Sequence, residues 1–111
     1  MATTWLTLES RKAEAVASIS RGISGLREDL AVFAKRMGGK FLMYGSAARG
    51  DYRFDSDVDI IVDFPSAKES DAWRFAEEAC RRRGLVPDVR PRRYCEKKFI
   101  DRIASDAEEI S

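Results

Sequence analysis

The sequence contains no histidine and only two cysteines, Cys80 and Cys95. Without histidine, the chain cannot use a histidine base or nucleophile, and it cannot form a histidine-ligated metal site. The two cysteines lack the spacing of a metal site, so we expect them to be reduced thiols in a cytoplasmic protein. These absences exclude histidine-dependent enzymes and cysteine-ligated metal proteins.

Long apolar runs and a strong charge of one sign are missing as well. No apolar stretch approaches the ~20 residues of a membrane span, and residues 1–6 lack the basic and apolar regions of a signal peptide. The formal net charge of +1 argues against a dedicated nucleic-acid-binding protein. The length predicts a single domain, residues 1–111, without room for a second substrate-binding domain.

The chain does contain a Gly-Ser turn followed by a pair of aspartates. Ten residues, 47–56, separate Ser46 of the Gly45-Ser46 turn from Asp57, and Asp59 follows at the next alternate position. A glycine in such a turn lets backbone amides approach an anion, and the serine hydroxyl adds a hydrogen-bond donor. Two nearby carboxylates can share Mg²⁺, which prefers oxygen ligands and substrate phosphates. This combination predicts a site for phosphoryl or nucleotidyl transfer.

The sequence on both sides of the turn predicts two strands. Residues 40–44 and 58–64 are rich in aliphatic and aromatic side chains, with glycine before the first and proline after the second. Because side chains alternate along a strand, Asp57 and Asp59 are expected on the same face. Asp63 shares that face but lies roughly 13 Å beyond Asp59. We therefore expect Asp63 to be a surface residue and not a ligand of the same metal.

At these residues the chain resembles the minimal nucleotidyltransferases (MNT) of the DNA polymerase β superfamily. The signature of that family is Gly-Ser, ten residues and Asp-x-Asp, and Arg49-Gly50 and Ser56 match further positions that it often carries. The resemblance extends from residue 41 to 90. It implies a polymerase β-like α/β fold with a small mixed sheet backed by helices, and a third carboxylate on a later strand, for which Asp88 is the candidate.

The activity implied by the resemblance is transfer of AMP from ATP to a hydroxyl acceptor. Asp57, Asp59 and Asp88 would be the catalytic residues and would hold Mg²⁺ or Mn²⁺. Asp88 would also help to deprotonate the incoming hydroxyl. The implied nucleotide-binding residues are Gly45, Ser46 and Arg49.

The resemblance also implies a protein partner. Short MNT proteins are commonly antitoxins encoded beside a HEPN-domain ribonuclease toxin, which they silence by adenylylating a tyrosine. The HEPN active site contains a histidine, so the toxin would be a separate chain. One alternative is a non-catalytic antitoxin that occludes its partner, and another is an antibiotic-modifying nucleotidyltransferase, which the short length disfavours. Homo-oligomers and hetero-oligomers both remain open.

The first part of the chain predicts a helix over residues 8–37 with one apolar stripe. Gly22 and Gly25 weaken this helix and suggest a kink near Gly22, and Gly38-Gly39 ends it. The stripe either packs on the sheet or forms a seam with a partner helix. It consists of Val16, Ile19, Ile23, Leu26, Leu30, Phe33 and Met37.

The remainder of the chain predicts two more helices and one strand. A helix is expected from Ser66 to about residue 83, with Ser66 as N-cap and Glu69 completing a capping box. The strand around Asp88 contains Pro87, which cannot donate a backbone hydrogen bond, so that strand is expected at a sheet edge. A C-terminal helix is expected over residues 96–110. The motif core then spans 40–90, and the apolar side of the last helix consists of Phe99, Ile100, Ile103 and Ala107.

A basic cluster is the one strong charge asymmetry of the sequence. It indicates either a solvated helix end with its adjacent loop, or a docking surface for an acidic partner or for RNA. Because no aromatic residue interleaves the arginine run, the partner interpretation is favoured over RNA. The cluster consists of Arg81, Arg82, Arg83, Arg90, Arg92, Arg93, Lys97 and Lys98.

Overall fold

The fold centres on a four-stranded sheet with the two longest helices on one face. The structure, a computed structural model, describes residues 4–111, with side chains from residue 8 onward. The elements are α1 (Thr4–Met37), β1 (Lys40–Tyr44), α2 (Ser46–Arg49), β2 (Asp57–Asp63), α3 (Ser66–Arg82), β3 (Val86–Pro91), the 3₁₀ turn η1 (Arg92–Tyr94), α4 (Lys97–Ile103) and β4 (Glu108–Ile110).

The sheet is mixed, with strand order β3-β2-β1-β4. β1 pairs antiparallel with both β2 and β4, whereas β2 and β3 run parallel. A parallel pair needs a long crossover, and α3 supplies it. β3 lies at an edge, as the proline in it predicted. The α/β class with a small mixed sheet backed by helices is therefore confirmed.

One face of the sheet forms the hydrophobic core. Alternation along β1 and β2 directs Phe41, Met43, Ile60 and Val62 toward α1 and α3. The ring of Phe33 on α1 stacks on Phe75 of α3, with centroids 4.3 Å apart. The apolar stripe of α1 thus packs on the sheet over its second half. The stripe residues buried there are Ile23, Leu26, Leu30 and Phe33.

The first half of α1 extends away from this core. A helix of 34 residues is about 51 Å long at 1.5 Å per residue, and the molecule measures 58 Å along its longest axis. Residues 8–14 are exposed, whereas Val16 and Ile19 are half-buried. Among the described helices, including this long one, none is long and apolar enough to cross a membrane.

The two glycines within α1 make room for the connection between α3 and β3. A Cβ atom on Gly22 would lie 3.3 Å from the carbonyl oxygen of Arg83, and one on Gly25 would meet the Arg83 guanidinium. Arg83 also forms a 2.9 Å ion pair with Asp29 of α1. The glycines that weaken the helix locally therefore let this connection approach it closely.

The predicted capping box at the start of α3 is wrong. Ser66 is the first helical residue, Pro65 occupies the N-cap position, and no side chain caps the helix. The carboxylate of Glu69 is almost fully buried and accepts a bifurcated hydrogen bond from Nε–H of Arg93, with its two oxygens at 2.8 and 3.0 Å. A buried carboxylate is costly without a charged partner, so Glu69 joins α3 to η1 and does not cap its own helix.

The predicted C-terminal helix over residues 96–110 is also wrong beyond its first two turns. α4 ends at Ile103, whose carbonyl accepts hydrogen bonds from the amides of Asp106 and Ala107 in a turn. Ser and Asp favour turns because their side chains compete for backbone hydrogen bonds. The chain then forms β4, in which Ile110 pairs with Phe41 and is buried. Pairing with the free edge of β1 outweighs the local helical pattern.

Candidate active site

The predicted carboxylates lie on the sheet face opposite α1 and α3. Tyr44 of β1 pairs with Asp59 of β2, and Asp59 pairs with Asp88 of β3. Directly paired residues point to the same face of a sheet, so these three side chains are neighbours. Asp57 shares the face by alternation along β2. The register thus brings together carboxylates that lie about thirty positions apart in the sequence.

Asp59 is at the centre of the carboxylate group. Its carboxyl group lies beside that of Asp88, because the two residues are directly paired across β2 and β3. Burial, together with the negative charges of Asp88 and Asp57, raises the pKa of Asp59 to about 6, and Arg90 partly opposes the increase. The negative charges around Asp59 thus carry an electrostatic cost that a bound cation would relieve.

The Gly-Ser turn lies directly against this group. Gly45 has φ +72°, which L side chains rarely adopt, and a Cβ atom there would lie 2.6 Å from Oδ2 of Asp59. Glycine satisfies both constraints, since it tolerates positive φ and leaves space for the carboxylate. Ser46 follows as the first residue of α2 and is half-buried. The turn and the aspartates thus form one continuous site.

Ser56 shapes the loop that leads into Asp57. Its hydroxyl accepts a 2.7 Å hydrogen bond from the backbone amide of Arg53, and its own amide donates to the Arg53 carbonyl at 3.2 Å. These two bonds close a turn immediately before β2 begins. Ser56 therefore acts through the backbone, because it fixes the point at which Asp57 enters the strand.

Arg49, the third predicted nucleotide-binding residue, has protein partners in the structure. Its Nε lies 3.2 Å from Asp51 and its Nη1 lies 3.4 Å from Asp106. The side chain is exposed, and these carboxylates raise the pKa of the guanidinium above its ordinary value. Arg49 would have to exchange these exposed ion pairs, which are individually weak, in order to contact a nucleotide.

Three further residues on this face were not assigned to the site from the sequence. Tyr44 is buried beside Asp59, and burial is the main reason that its pKa rises to about 12. Phe99 of α4 packs edge-on against the Tyr44 ring at 5.5 Å. Arg90 lies two residues beyond Asp88, and its Nη2 is 3.6 Å from an Asp88 oxygen. Alternation along β3 was a signal that could have placed Arg90 on this face.

Most of the basic cluster is neutralised by neighbouring carboxylates. Arg81 pairs with Glu77, Arg83 with Asp29, Arg90 with Asp88, Arg93 with Glu69, and Lys97 with Asp101. Within the range 4–111, Arg82, Arg92 and Lys98 have no ion-pair partner. Arg82 instead lies 5.9 Å from the centroid of the Phe75 ring. The cluster is therefore a set of ion pairs with a few free cations, and not a continuous positive surface.

The comparison with protein families agrees with this geometry. The nucleotidyltransferase domain family matches residues 23–110 of the chain, which include the Gly-Ser turn and all three carboxylates. The chain belongs to this family. A crystal structure of a proposed nucleotidyltransferase from Sulfolobus solfataricus is also similar, with 24% identity, coverage of 86% of this chain and 84% of that chain, and a TM-score of 0.44. No curated protein matches the sequence.

The side chains of this nucleotidyltransferase domain fit a divalent metal in chemical type. The candidate ligands are three carboxylates on one face, and hard cations such as Mg²⁺ prefer oxygen ligands. Mg²⁺ commonly takes only one or two protein carboxylates, with water and substrate phosphates as its other ligands. Over the described part of the chain, no three acidic or cysteine side chains lie close enough together to hold a metal without further ligands. The donor set therefore suits a cation that arrives together with a triphosphate.

Proposed function

We propose that this nucleotidyltransferase transfers AMP from ATP to a hydroxyl acceptor in a reaction that depends on Mg²⁺ or Mn²⁺. The observation that carries the proposal is the direct pairing of Asp59 with Asp88 on parallel strands, with Gly45 packed against Asp59. Asp57 extends the group along the same face of β2. Carboxylates held together at such a cost are typical of sites that act on charged substrates.

Each residue has a separate role in this proposal. Asp57, Asp59 and Asp88 would hold the metal, which when bound would neutralise negative charge on the triphosphate. Asp88, at the sheet edge, would accept the proton of the incoming hydroxyl. Ser46 and the amides around Gly45 would hold the phosphates of the leaving pyrophosphate. Arg49 would add a guanidinium to the same phosphates after it leaves Asp51 and Asp106.

The acceptor in this proposal is a tyrosine of a HEPN-domain ribonuclease toxin, and the chain is its antitoxin. Support comes from the MNT-type spacing of the Gly-Ser and Asp-x-Asp motifs. The shape of the domain adds to it, because the matched domain consists of little more than the sheet and its helices. The partner would then supply the surface that positions the acceptor.

Calorimetry with ATP tests the metal-dependent site. The wild type is expected to bind ATP with Mg²⁺ and to lose most of that affinity in EDTA, because the carboxylates repel a triphosphate that no cation neutralises. Replacing Asp57 and Asp59 together by Asn should abolish metal-dependent binding. Asp63→Asn is the matched control, since Asp63 lies on the same face at the far end of β2. Equal affinity with Mg²⁺ and EDTA would remove the metal-dependent model.

A non-catalytic antitoxin that occludes its toxin is the second candidate. It is favoured by the ion pairs that hold Arg49. Intact mass measurement of the toxin after incubation with the wild type, ATP and Mg²⁺ separates the two candidates. The transferase proposal requires adenylyl-sized mass increments that Asp88→Asn abolishes. If the wild type and the Asp88→Asn variant both inhibited the toxin without changing its mass, occlusion would be established.

A further inference from the structure

The short helix α4 covers part of the candidate active-site face. Phe99 of α4 contacts Tyr44, which pairs with Asp59. This contact places α4 on the same side of the sheet as the three carboxylates. The long helices α1 and α3 pack on the opposite side. Side chains of α4 are therefore available to a molecule that approaches the carboxylates.

Two guanidinium groups meet at the ring of Phe99. The Cζ atoms of Arg90 and Arg102 lie 5.2 and 5.6 Å from the ring centroid, which is within the range of a cation–π contact. Arg90 also lies 3.6 Å from Asp88, yet its side chain remains 44% exposed. Arg102 has no ion-pair partner anywhere in residues 4–111. The face thus has a cationic pair fixed by one aromatic ring beside the acidic group.

We propose that Arg90 and Arg102 form an acceptor subsite, which binds a carboxylate of the partner protein next to the hydroxyl that receives AMP. This inference rests on the proposed function, because it deepens the choice of acceptor at the same site. The Arg90 guanidinium lies 3.6 Å from the Asp88 carboxylate, and Arg102 approaches the same Phe99 ring as Arg90. A carboxylate held by this pair would therefore lie within a residue or two of a hydroxyl beside Asp88. The preferred acceptor is therefore a hydroxyl residue with Asp or Glu one or two positions away.

The surroundings of this pair favour an acidic protein segment over RNA. Asp88 lies beside Arg90, with one of its oxygens 3.6 Å from Nη2 of Arg90. A run of phosphates would meet this negative charge, whereas a single carboxylate can approach the two guanidiniums alone. Arginine forms bidentate hydrogen bonds with a carboxylate. The nearly neutral chain, at net +1, also lacks the excess charge typical of RNA-binding domains.

An NMR titration of arginine Nε–H signals tests the subsite with defined probes. The two probes are a short tyrosine peptide flanked by Glu and the same peptide flanked by Gln. The wild type is expected to bind the Glu peptide about tenfold more tightly, as for charge-assisted hydrogen bonds. Replacing Arg90 and Arg102 together by Gln should reduce that ratio to about one. Replacing both by Lys should restore part of it, because charge is retained.

Arg74→Gln is the control, since Arg74 is an exposed arginine of α3 with a weak 3.9 Å ion pair. A wild-type ratio of one, or an undiminished ratio in the Arg90/Arg102 Gln variant, would overturn the subsite. If the wild type bound an oligouridylate more tightly than the Glu peptide, and the Arg90/Arg102 Gln variant lost that binding, the two arginines would form an RNA site and not a peptide subsite. ATP binding is measured in parallel with Mg²⁺. If the wild type did not bind ATP with Mg²⁺, the proposed function would be contradicted, and the peptide ratio would be a separate result.

Discussion

Gly45 is the residue at which the turn and the carboxylates depend most directly on each other. Its φ of +72° and its contact with Asp59 both require the absence of a side chain. Gly45→Ala should cost about 1 kcal/mol or more in stability through backbone strain and should displace Asp59. Gly38→Ala is the matched control, because Gly38 has φ +78° with nothing within 4 Å. Denaturation, and titration with Mn²⁺ in the presence of ATP, check the prediction for both variants, and equal loss of metal-dependent ATP affinity in both would contradict it.

The raised pKa of Asp59 gives the metal-free protein a defined pH dependence. Between pH 4 and 6 the folded state retains a proton that the unfolded state has lost, so this residue stabilises the fold at low pH. That contribution should disappear as the pH rises through about 6. Because the group is half-exposed, we expect a difference of only about 1 kcal/mol. Denaturant unfolding in EDTA at several pH values measures it, with Asp63→Asn as the control. Asp59→Asn should flatten this segment of the profile, and an unchanged slope would refute the assignment.

Among the elements, β4 is the shortest strand and yet closes one edge of the sheet. Ile110 is buried against the core and pairs with Phe41. Ile110→Ala should destabilise the protein by about 2–4 kcal/mol, as is typical of large-to-small core substitutions. Val32→Ala, at a 64% exposed position of α1, should change stability by less than about 0.5 kcal/mol. Thermal or chemical unfolding compares the two, and a similarly small effect at Ile110 would mean that the C-terminal residues do not pair with β1.

The same strand illustrates what local sequence patterns can and cannot predict. β1, β2 and α3 follow from short patterns of apolar residues with glycine or proline at their ends, so the sequence predicted them closely. β4 consists of three residues whose stability comes from pairing with β1, some seventy positions earlier. Local periodicity does not reveal such a distant partner, and for this reason the sequence predicted that the helix continues through this segment. The wrong capping box has a similar cause, since the partner of Glu69 is the distant Arg93.

Some features of the candidate site likewise follow from local patterns, whereas others depend on tertiary structure. Alternation along one strand was enough to place Asp57 and Asp59 on one face. The contact between Asp59 and Asp88 depends on the parallel register of β2 and β3, which spacing alone does not determine. The approach of Phe99 to Tyr44 depends on how α4 returns over the sheet. Local motifs thus predicted the chemistry, and the tertiary structure shows which residues surround the predicted site.

The distribution of charge is a property of the whole molecule and leads to a prediction about association. Arg82 and Arg92 are among the cluster residues without an ion-pair partner in the described structure. If they contact an acidic partner, changing both to Glu should slow association, and the wild-type rate should fall as salt rises, because exposed charges are screened beyond ~8 Å at physiological ionic strength.

Stopped-flow measurements over a salt series check this prediction about the arginines. Changing Lys35 and Arg36 to Glu is the control, since it makes the same change in net charge at the end of α1. ATP binding should be unaffected in both variants, because the carboxylates and Ser46 are unchanged. If the association rate did not depend on salt and was unchanged when Arg82 and Arg92 were replaced by Glu, these arginines would simply belong to a solvated helix end and its loop.

Following the α- and γ-phosphates of ATP separately tests the central claim most directly. Extract of the source cells is incubated with the purified protein, Mg²⁺ and ATP labelled at either the α- or the γ-phosphate. Nucleotidyl transfer predicts that added protein increases acid-insoluble label from α-labelled ATP only, because the γ-phosphate leaves with pyrophosphate. The increase should persist with Asp63→Asn and disappear with Asp59→Asn. A protein-dependent increase from γ-labelled ATP, or an undiminished α-label with Asp59→Asn, would contradict the account.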